Sequence, residues 1–340
     1  MSGEPRTIVC KAAVVMAAGQ PFEIMEVNVA PPKRGEVRIR ILYACPCHTD
    51  EITQRGVDPT AVYPCILGHE SCGQVESIGE GVTTCKPGQK VIPLWEGVMP
   101  LDNTSRFTTK DGQSIYHFMG TSRSDGFMSL FGLISWLSAA SHNTPWCLRS
   151  ALPLSRMIAP WTNLGCVGLA CVEGAHLAGA KEIICVDIND IKLAMAKDFG
   201  GTKFINPKNY EKPIQDVIIE MTNGGVDFAF ECTGNTTVMR NAVESTCKGW
   251  GLAVIVGIGE AGKEISTRPY HFIVGRQLKG SVFGGWRSRD DVPKLAEKVI
   301  NGELKLGKYC THRMKFSQIN EAFDLLKRTE CIRCVMDMQQ

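Results

Sequence analysis

LGCVGLACVEGAHLAGAKEIICVD, residues 164–187, decides the fold. Gly165 and Gly168 open a segment of helical composition, and the β-branched run Ile183–Val186 closes on Asp187. The rhythm continues outward with NDIKLAMAKDFG as helix, KFIN as strand, a helix through Ile219 and VDFAFE as strand. Helix alternating with strand is the pattern of a parallel sheet covered by crossover helices. Glycines at such a turn let the backbone approach a pyrophosphate, while the helix N-terminus offers amide donors. Asp187, at the end of the next strand, accepts from a ribose and repels a 2′-phosphate, which favours NAD over NADP. The same glycines would also suit the tight turn of any βα unit, and the spacing to Asp187 tips the reading towards a dinucleotide. Two features depart from the fingerprint: Asn163 stands where its first glycine belongs, and Pro160 interrupts the preceding strand, Met157–Trp161.

Towards the N-terminus the pattern changes to short β-type runs, EVRIRILYA, GQVESIG and QKVIPL, separated by Gly and Pro turns. They predict an irregular β-rich unit in which no helix is compelling. Two clusters in that unit carry chemistry: Cys47-His48-Thr49-Asp50 and Gly68-His69-Glu70. A thiolate at Cys47 and an imidazole at His69 are zinc-type donors, but a catalytic zinc needs three protein ligands and an open position. Asp50 could orient a ligand from behind, Glu70 could perturb or join the metal, and Thr49 offers a hydroxyl or a helix cap. Beyond Gly280 the chain reads as helices near 292–299 and 319–326 and a closing strand, CIRCVM.

At 340 residues the chain suits two domains. Lys and Arg number 37 against 35 Asp and Glu, without a basic run, which argues against nucleic acid. The opening MSGEPRTIVC lacks the apolar core of a secretory signal, so the expected location is cytoplasmic. Fifteen scattered cysteines then read as free thiols or metal ligands, and no stretch is long and apolar enough to predict a membrane span.

Taken in order, Cys47-His48-Thr49-Asp50, Leu67-Gly68-His69-Glu70, Leu164–Gly168, Phe230-Glu231-Cys232-Thr233-Gly234-Asn235 and Phe283-Gly284-Gly285 give the chain its likeness to known proteins. It resembles the zinc-containing medium-chain alcohol dehydrogenases. Ile115–Ser122 and Glu264–Pro269 look most like the glutathione-dependent formaldehyde, or S-(hydroxymethyl)glutathione, dehydrogenase branch. The likeness implies a GroES-like catalytic domain joined to a doubly wound Rossmann domain, an α/β architecture. It implies Zn2+ and NAD as cofactors, a primary alcohol or glutathione adduct as substrate, and a homodimer formed through the nucleotide-domain sheet edge. Carried over residue by residue, it makes Cys47 and His69 the zinc ligands, gives Thr49 the alcohol proton, and puts Asp50 and Glu70 behind the metal. His48, Lys192 and Arg276 would contact cofactor phosphate or ribose, and Val256 would lie near the nicotinamide. Where some relatives extend the proton relay with a histidine, this chain has Ile52.

The chain departs from the resemblance in two places. Between Leu94 and Gly97 the relatives' lobe with four cysteines and a structural zinc is absent. The stretch 127–162 replaces the third zinc cysteine, the interdomain helix and the first nucleotide-domain strand. Read one base later, Ser138–Leu152 can spell a run like the relatives' own cysteine segment, which points to a shifted frame or altered splicing, and the transcript sequence checks this. Cys147, Glu70 and Cys45 are the candidate substitutes for the third ligand. The expected organisation is a GroES-like domain over 1–126, a connecting segment over 127–162, a Rossmann domain over 163–285, and a C-terminal return over 286–340. A second reading is an inactive variant that keeps the dimer surface and binds NAD weakly, and a zinc-free reductase fits the Cys47 and His69 pair poorly.

Overall fold

A computed structural model describes residues 6–59, 61–93, 107–117, 157–161, 164–281, 284, 288–304 and 306–339. The junction expected between Leu94 and Gly97, most of 127–162 with Cys147, and Asn163 lie outside the described residues. The chain forms two compact units: one combines the N-terminal part with everything after Leu304, and the other lies between.

In the first unit, β1 (Ile8–Val15), β2 (Phe22–Val29), β3 (Val37–Ala44), β4 (Cys65–Ile66), β5 (Ser71–Ile78), β6 (Lys90–Val91), β7 (Phe107–Thr108) and β8 (Ser114–His117) follow one another. Strands β1, β2, β7, β8 and β4 close into a small barrel. The end of β1, AAVV, is buried on both faces, so its sequence shows no polar alternation. Ala12 and Val14 pack with Val27, Val29 and Ile115. Ala13 and Val15 turn the other way, towards Phe22, Phe316, Phe323 and Met336. Burying a Val, Ile, Phe or Met side chain in this way contributes about 1.5–3 kcal/mol.

In the second unit, β9 (Met157–Trp161), β10 (Ile183–Val186), β11 (Lys203–Ile205), β12 (Phe228–Glu231), β13 (Leu252–Ile255) and β14 (Gln277–Gly280) form a parallel sheet in the order β11-β10-β9-β12-β13-β14. Pro160 was expected to count against a central strand, yet β9 occupies the centre. Its ladders shift register around the proline: Cys185 pairs with Ala159 and Val186 with Trp161, while on the other side Ala229 pairs with Ile158 and Glu231 with Trp161. The irregularity accommodates a residue that has no N–H to donate. Helices Cys166–Leu177 (α2), Asp190–Ala196 (α3), Ile214–Met221 (α4) and Thr236–Ser245 (α5) follow the strands, and Ile184, Val186, Ile218, Val226, Ala229, Val243 and Ala253 make the core.

The first unit is completed by β15 (Cys310–Lys315), the helix Ile319–Lys327 and β16 (Arg333–Asp337), the strands joining β3, β5 and β6 in one sheet. Asn320 fastens this return to β2, accepting from the Phe22 N–H at 2.9 Å and donating to the Phe22 carbonyl at 3.0 Å. Two expected boundaries are corrected. Met157–Trp161 belongs to the parallel sheet and not to a connecting segment. The C-terminal return begins after Leu304, not at 286, because the helix Ser288–Ile300 falls within the sheet unit. The N-terminal unit also holds a helix that the turn-rich pattern hid, α1 (His48–Gln54).

Candidate functional site

Cys47 sits in extended conformation (φ −123°) as the residue capping α1, so its side chain lies at the mouth of that helix. Asp50, one turn in, reaches back and accepts from the Cys47 N–H at 3.1 Å through Oδ2. Its other oxygen, Oδ1, accepts from the Gly68 N–H at 3.1 Å and lies 3.0 Å from His69 Nδ1. One fully buried carboxylate thereby ties the helix to the turn before β5, a turn in which Gly68 takes φ +123° and so requires glycine. With Nδ1 bonded to Asp50, Nε2 is the nitrogen that His69 would turn to a metal. Burial opposes a charge on His69, but Asp50 and Cys47 together pull its pKa well above the ordinary value.

Glu70 completes the cluster. Ligand atoms of Cys47, His69 and Glu70 all lie within 4.8 Å of one another, and this is the metal-capable group among the described residues. A sulfur, an imidazole nitrogen and a carboxylate oxygen form a donor set that zinc accepts. Cys45, the other candidate in this region, is not in that group, and its backbone N–H donates to the Glu70 carbonyl at 2.9 Å. Thr49 Oγ1 is 3.8 Å from the Cys47 sulfur, while His48, on the first turn of α1, is exposed.

Sequence reasoning missed Arg333. Its guanidinium grips both Glu70 oxygens, Nη1 to Oε2 at 2.9 Å and Nη2 to Oε1 at 3.0 Å, and donates to the Pro46 carbonyl at 3.3 Å. Burial raises the Glu70 pKa and Arg333 works against that rise. The available signal was an arginine in the middle of the apolar run CIRCVM, since a buried guanidinium demands a carboxylate.

In the sheet unit, Gly165 caps α2 in extended conformation, with no capping side chain and no acid in the first turn, which leaves the helix end suited to an anion. Asp187 is buried at the carboxyl end of β10, accepting from the N–H groups of Leu164 and, at 2.8 Å, Asn189. Gly168 and Lys192 are buried on α2 and α3, and Val256 directly follows β13, on the ligand-binding edge of the sheet. Arg276 is a correction. It precedes the first residue of β14, at the amino edge, where its buried guanidinium donates to the Thr246 carbonyl at 2.7 Å and contacts His271 at 3.2 Å. Dinucleotides bind at the opposite edge, so Arg276 is structural.

The loops after β12 and β13 interlock. A Cβ on Gly257 would land on the Gly234 amide nitrogen and 2.7 Å from that of Thr233. Gly257→Ala should therefore cost about 2 kcal/mol and weaken NADH binding at this edge. Thermal melts and fluorescence titration check both, and an unchanged melt would refute the interlock.

Two family descriptions match the chain: the alcohol dehydrogenase GroES-like domain over residues 33–140 and the zinc-binding dehydrogenase over 166–301. The chain belongs to the zinc-dependent alcohol dehydrogenases, oxidoreductases that use Zn2+ and NAD. Among curated proteins it is 44% identical to an alcohol dehydrogenase class-3 of Oryza sativa subsp. japonica, covering 98% of both chains. It is 45% identical to the class-3 enzyme of Pisum sativum, covering 97% of this chain and 98% of that one. The alignment to the rice protein spans 379 positions, more than this chain has residues, so the relative carries segments that are missing here. Among solved structures, an alcohol dehydrogenase zinc-binding domain protein from Burkholderia ambifaria superposes with a TM-score of 0.86 at 25% identity, covering 98% of this chain and 99% of that one. Benzyl alcohol dehydrogenase from Acinetobacter calcoaceticus shares the fold, with a TM-score of 0.82 at 23% identity over 97% of this chain and 99% of that one.

Proposed function

We propose that this chain oxidises a primary alcohol or S-(hydroxymethyl)glutathione, passing hydride to NAD, with Cys47, His69 and Glu70 as the ligands of its zinc. The observation that carries this reading is the convergence of those three donors within 4.8 Å at the mouth of α1. Bound zinc supplies Lewis acidity that lowers the pKa of the alcohol oxygen. The protein's own groups do the rest. Asp50 fixes the ring of His69, and Arg333 holds the charge of Glu70. Thr49 takes the alcohol proton, which leaves through ribose and water because Ile52 offers no relay group. Gly165, Gly168, Asp187, Lys192 and Val256 receive the dinucleotide, and His48 meets its phosphate or ribose.

The test is zinc content, measured by elemental analysis, together with NADH formation from simple alcohols and from S-(hydroxymethyl)glutathione. One zinc per chain with turnover supports the proposal, and folded protein that cannot be loaded defeats it. One observation favours the alternative of a variant that binds NAD without turnover: both Glu70 oxygens are engaged by Arg333, which competes with a metal for them.

The proposed location is the cytoplasm, and among the described residues no helix is long and apolar enough to cross a membrane. The proposed assembly is a homodimer through β14. That strand ends the sheet order, all four of its residues are exposed, and Leu278 on it and Ile273 just before it expose apolar surface. Leu278→Lys should convert dimer to monomer by size exclusion with light scattering, and a mass that does not change would dismiss this edge as the interface.

A further inference from the structure

Cys171 sits on the second turn of α2, and Cys232 directly follows β12. They are 61 positions apart in the chain, yet their sulfurs lie 3.7 Å from each other. Regular structure holds both backbones. Cys171 lies inside a helix of 12 residues. Cys232 is held between the end of β12 and a turn in which the Glu231 carboxyl accepts from the N–H groups of Thr233 at 2.6 Å and Gly234 at 3.0 Å. The fold itself therefore brings the two thiols together.

Sulfurs in a disulfide are about 2.0 Å apart, so about 1.7 Å separates this contact from a bond. Rotation of two short side chains supplies much of that distance. The two thiols differ in access: Cys171 is 1% exposed, whereas Cys232 is partly exposed.

We propose that Cys171 and Cys232 are a paired oxidation site, in which hydrogen peroxide meets Cys232 and Cys171 turns the product into an intrachain disulfide. In the first step the Cys232 sulfur attacks one peroxide oxygen. An S–O bond forms, the O–O bond breaks, and hydroxide leaves and takes up the thiol proton as water. Cys232 is then a sulfenic acid, oxidised by two electrons while the peroxide is reduced. In the second step the Cys171 sulfur attacks that of Cys232, the S–S bond forms, the S–O bond breaks, and a second water leaves with the Cys171 proton. Burial and the neighbouring Cys171 thiol raise the Cys232 pKa, so thiolate is scarce at neutral pH and the first step quickens as pH rises. The neighbour decides the product, because a sulfenic acid beside a second thiol is captured before it oxidises further.

The test treats the full chain with hydrogen peroxide, blocks remaining thiols with iodoacetamide and isolates the monomer on a non-reducing gel. Its tryptic peptides are then weighed. The expected result is a Cys171 peptide joined to a Cys232 peptide, lighter by two hydrogens than the separate pair, released by dithiothreitol and formed faster as pH rises. Fragmentation separates Cys171 from Cys166, which shares its peptide. Cys10, exposed on β1, reports that the oxidant dose is sufficient. Cys171→Ala should abolish the cross-link and send Cys232 on to the sulfinic acid. Cys232 carried to sulfinic acid in the unsubstituted chain without a cross-link overturns the proposal. So does a pair left unoxidised while Cys10 is consumed, or a bond from Cys232 to any other cysteine. Where Cys171→Ala does not fold, the unsubstituted chain decides alone, because its peptides either carry the Cys171–Cys232 bond or lack it. No readout involves zinc, NAD or turnover, so the outcome stands apart from the proposed function.

Discussion

His69→Ala protein should emerge from purification with zinc below about a tenth of an equivalent and with no measurable alcohol-dependent NADH formation. The expected size of the effect follows from the ligand count. Cys47, His69 and Glu70 are the three donors that converge, so removing the imidazole leaves a thiol and a carboxylate that Arg333 already holds. Zinc sites depend on their full complement of protein ligands, and loss of a supporting group behind a ligand alone costs roughly 10–100-fold in affinity or activity. Asp50→Asn provides that smaller loss as an internal scale, because it removes the carboxylate from Nδ1 while the ligand itself stays. Elemental analysis of the two variants beside the unsubstituted chain separates the cases. Zinc retained at full stoichiometry by His69→Ala would remove His69 from the coordination shell.

Arg333→Met should lower the stability of the metal-free protein by about 3–5 kcal/mol, because it leaves Glu70 buried without its counter-charge. The pair is bidentate and nearly inaccessible, 8% exposed on the arginine side and 2% on the glutamate side, so solvent screening does little to soften the loss. Zinc offers Glu70 a replacement positive charge, and the loss should shrink once the protein is loaded. Thermal unfolding with and without zinc reads this as a larger metal-induced rise in midpoint for Arg333→Met than for the unsubstituted chain. Equal rises would show that Glu70 does not bind the metal and that the zinc must find its third ligand elsewhere.

How much of this was legible in the sequence depended on how local each signal is. The βα alternation after Gly165, the glycine turn and Asp187 each lie within a few residues of the partner that gives them meaning, and the parallel sheet followed directly. Cys47 and His69 taken alone fit a buried thiol and a core histidine equally well, and the carboxylates beside them, Asp50 and Glu70, turned the reading towards metal donors. Glu70 was placed behind the metal by the resemblance and was also one of three candidates for the third ligand, and its convergence with the other two came from folding β5 back onto the mouth of α1. Arg333 escaped because its partner lies far away in sequence and enters through a C-terminal strand, so no spacing rule connects them. Pro160 misled for a related reason: the rule against proline in central strands assumes an unbroken ladder, and here both ladders slip. Arg276 was placed by resemblance alone, and the parallel direction of β14 put it on the wrong edge of the sheet.

The way Asp50 binds the Cys47 amide, the Gly68 amide and the His69 ring has a practical outcome. These bonds run between the chain's own groups and need no ion to bridge them, so they preset the donors for a cation. Protein made under zinc starvation should therefore be rechargeable by simple dialysis against the metal, without a cycle of denaturation and renaturation.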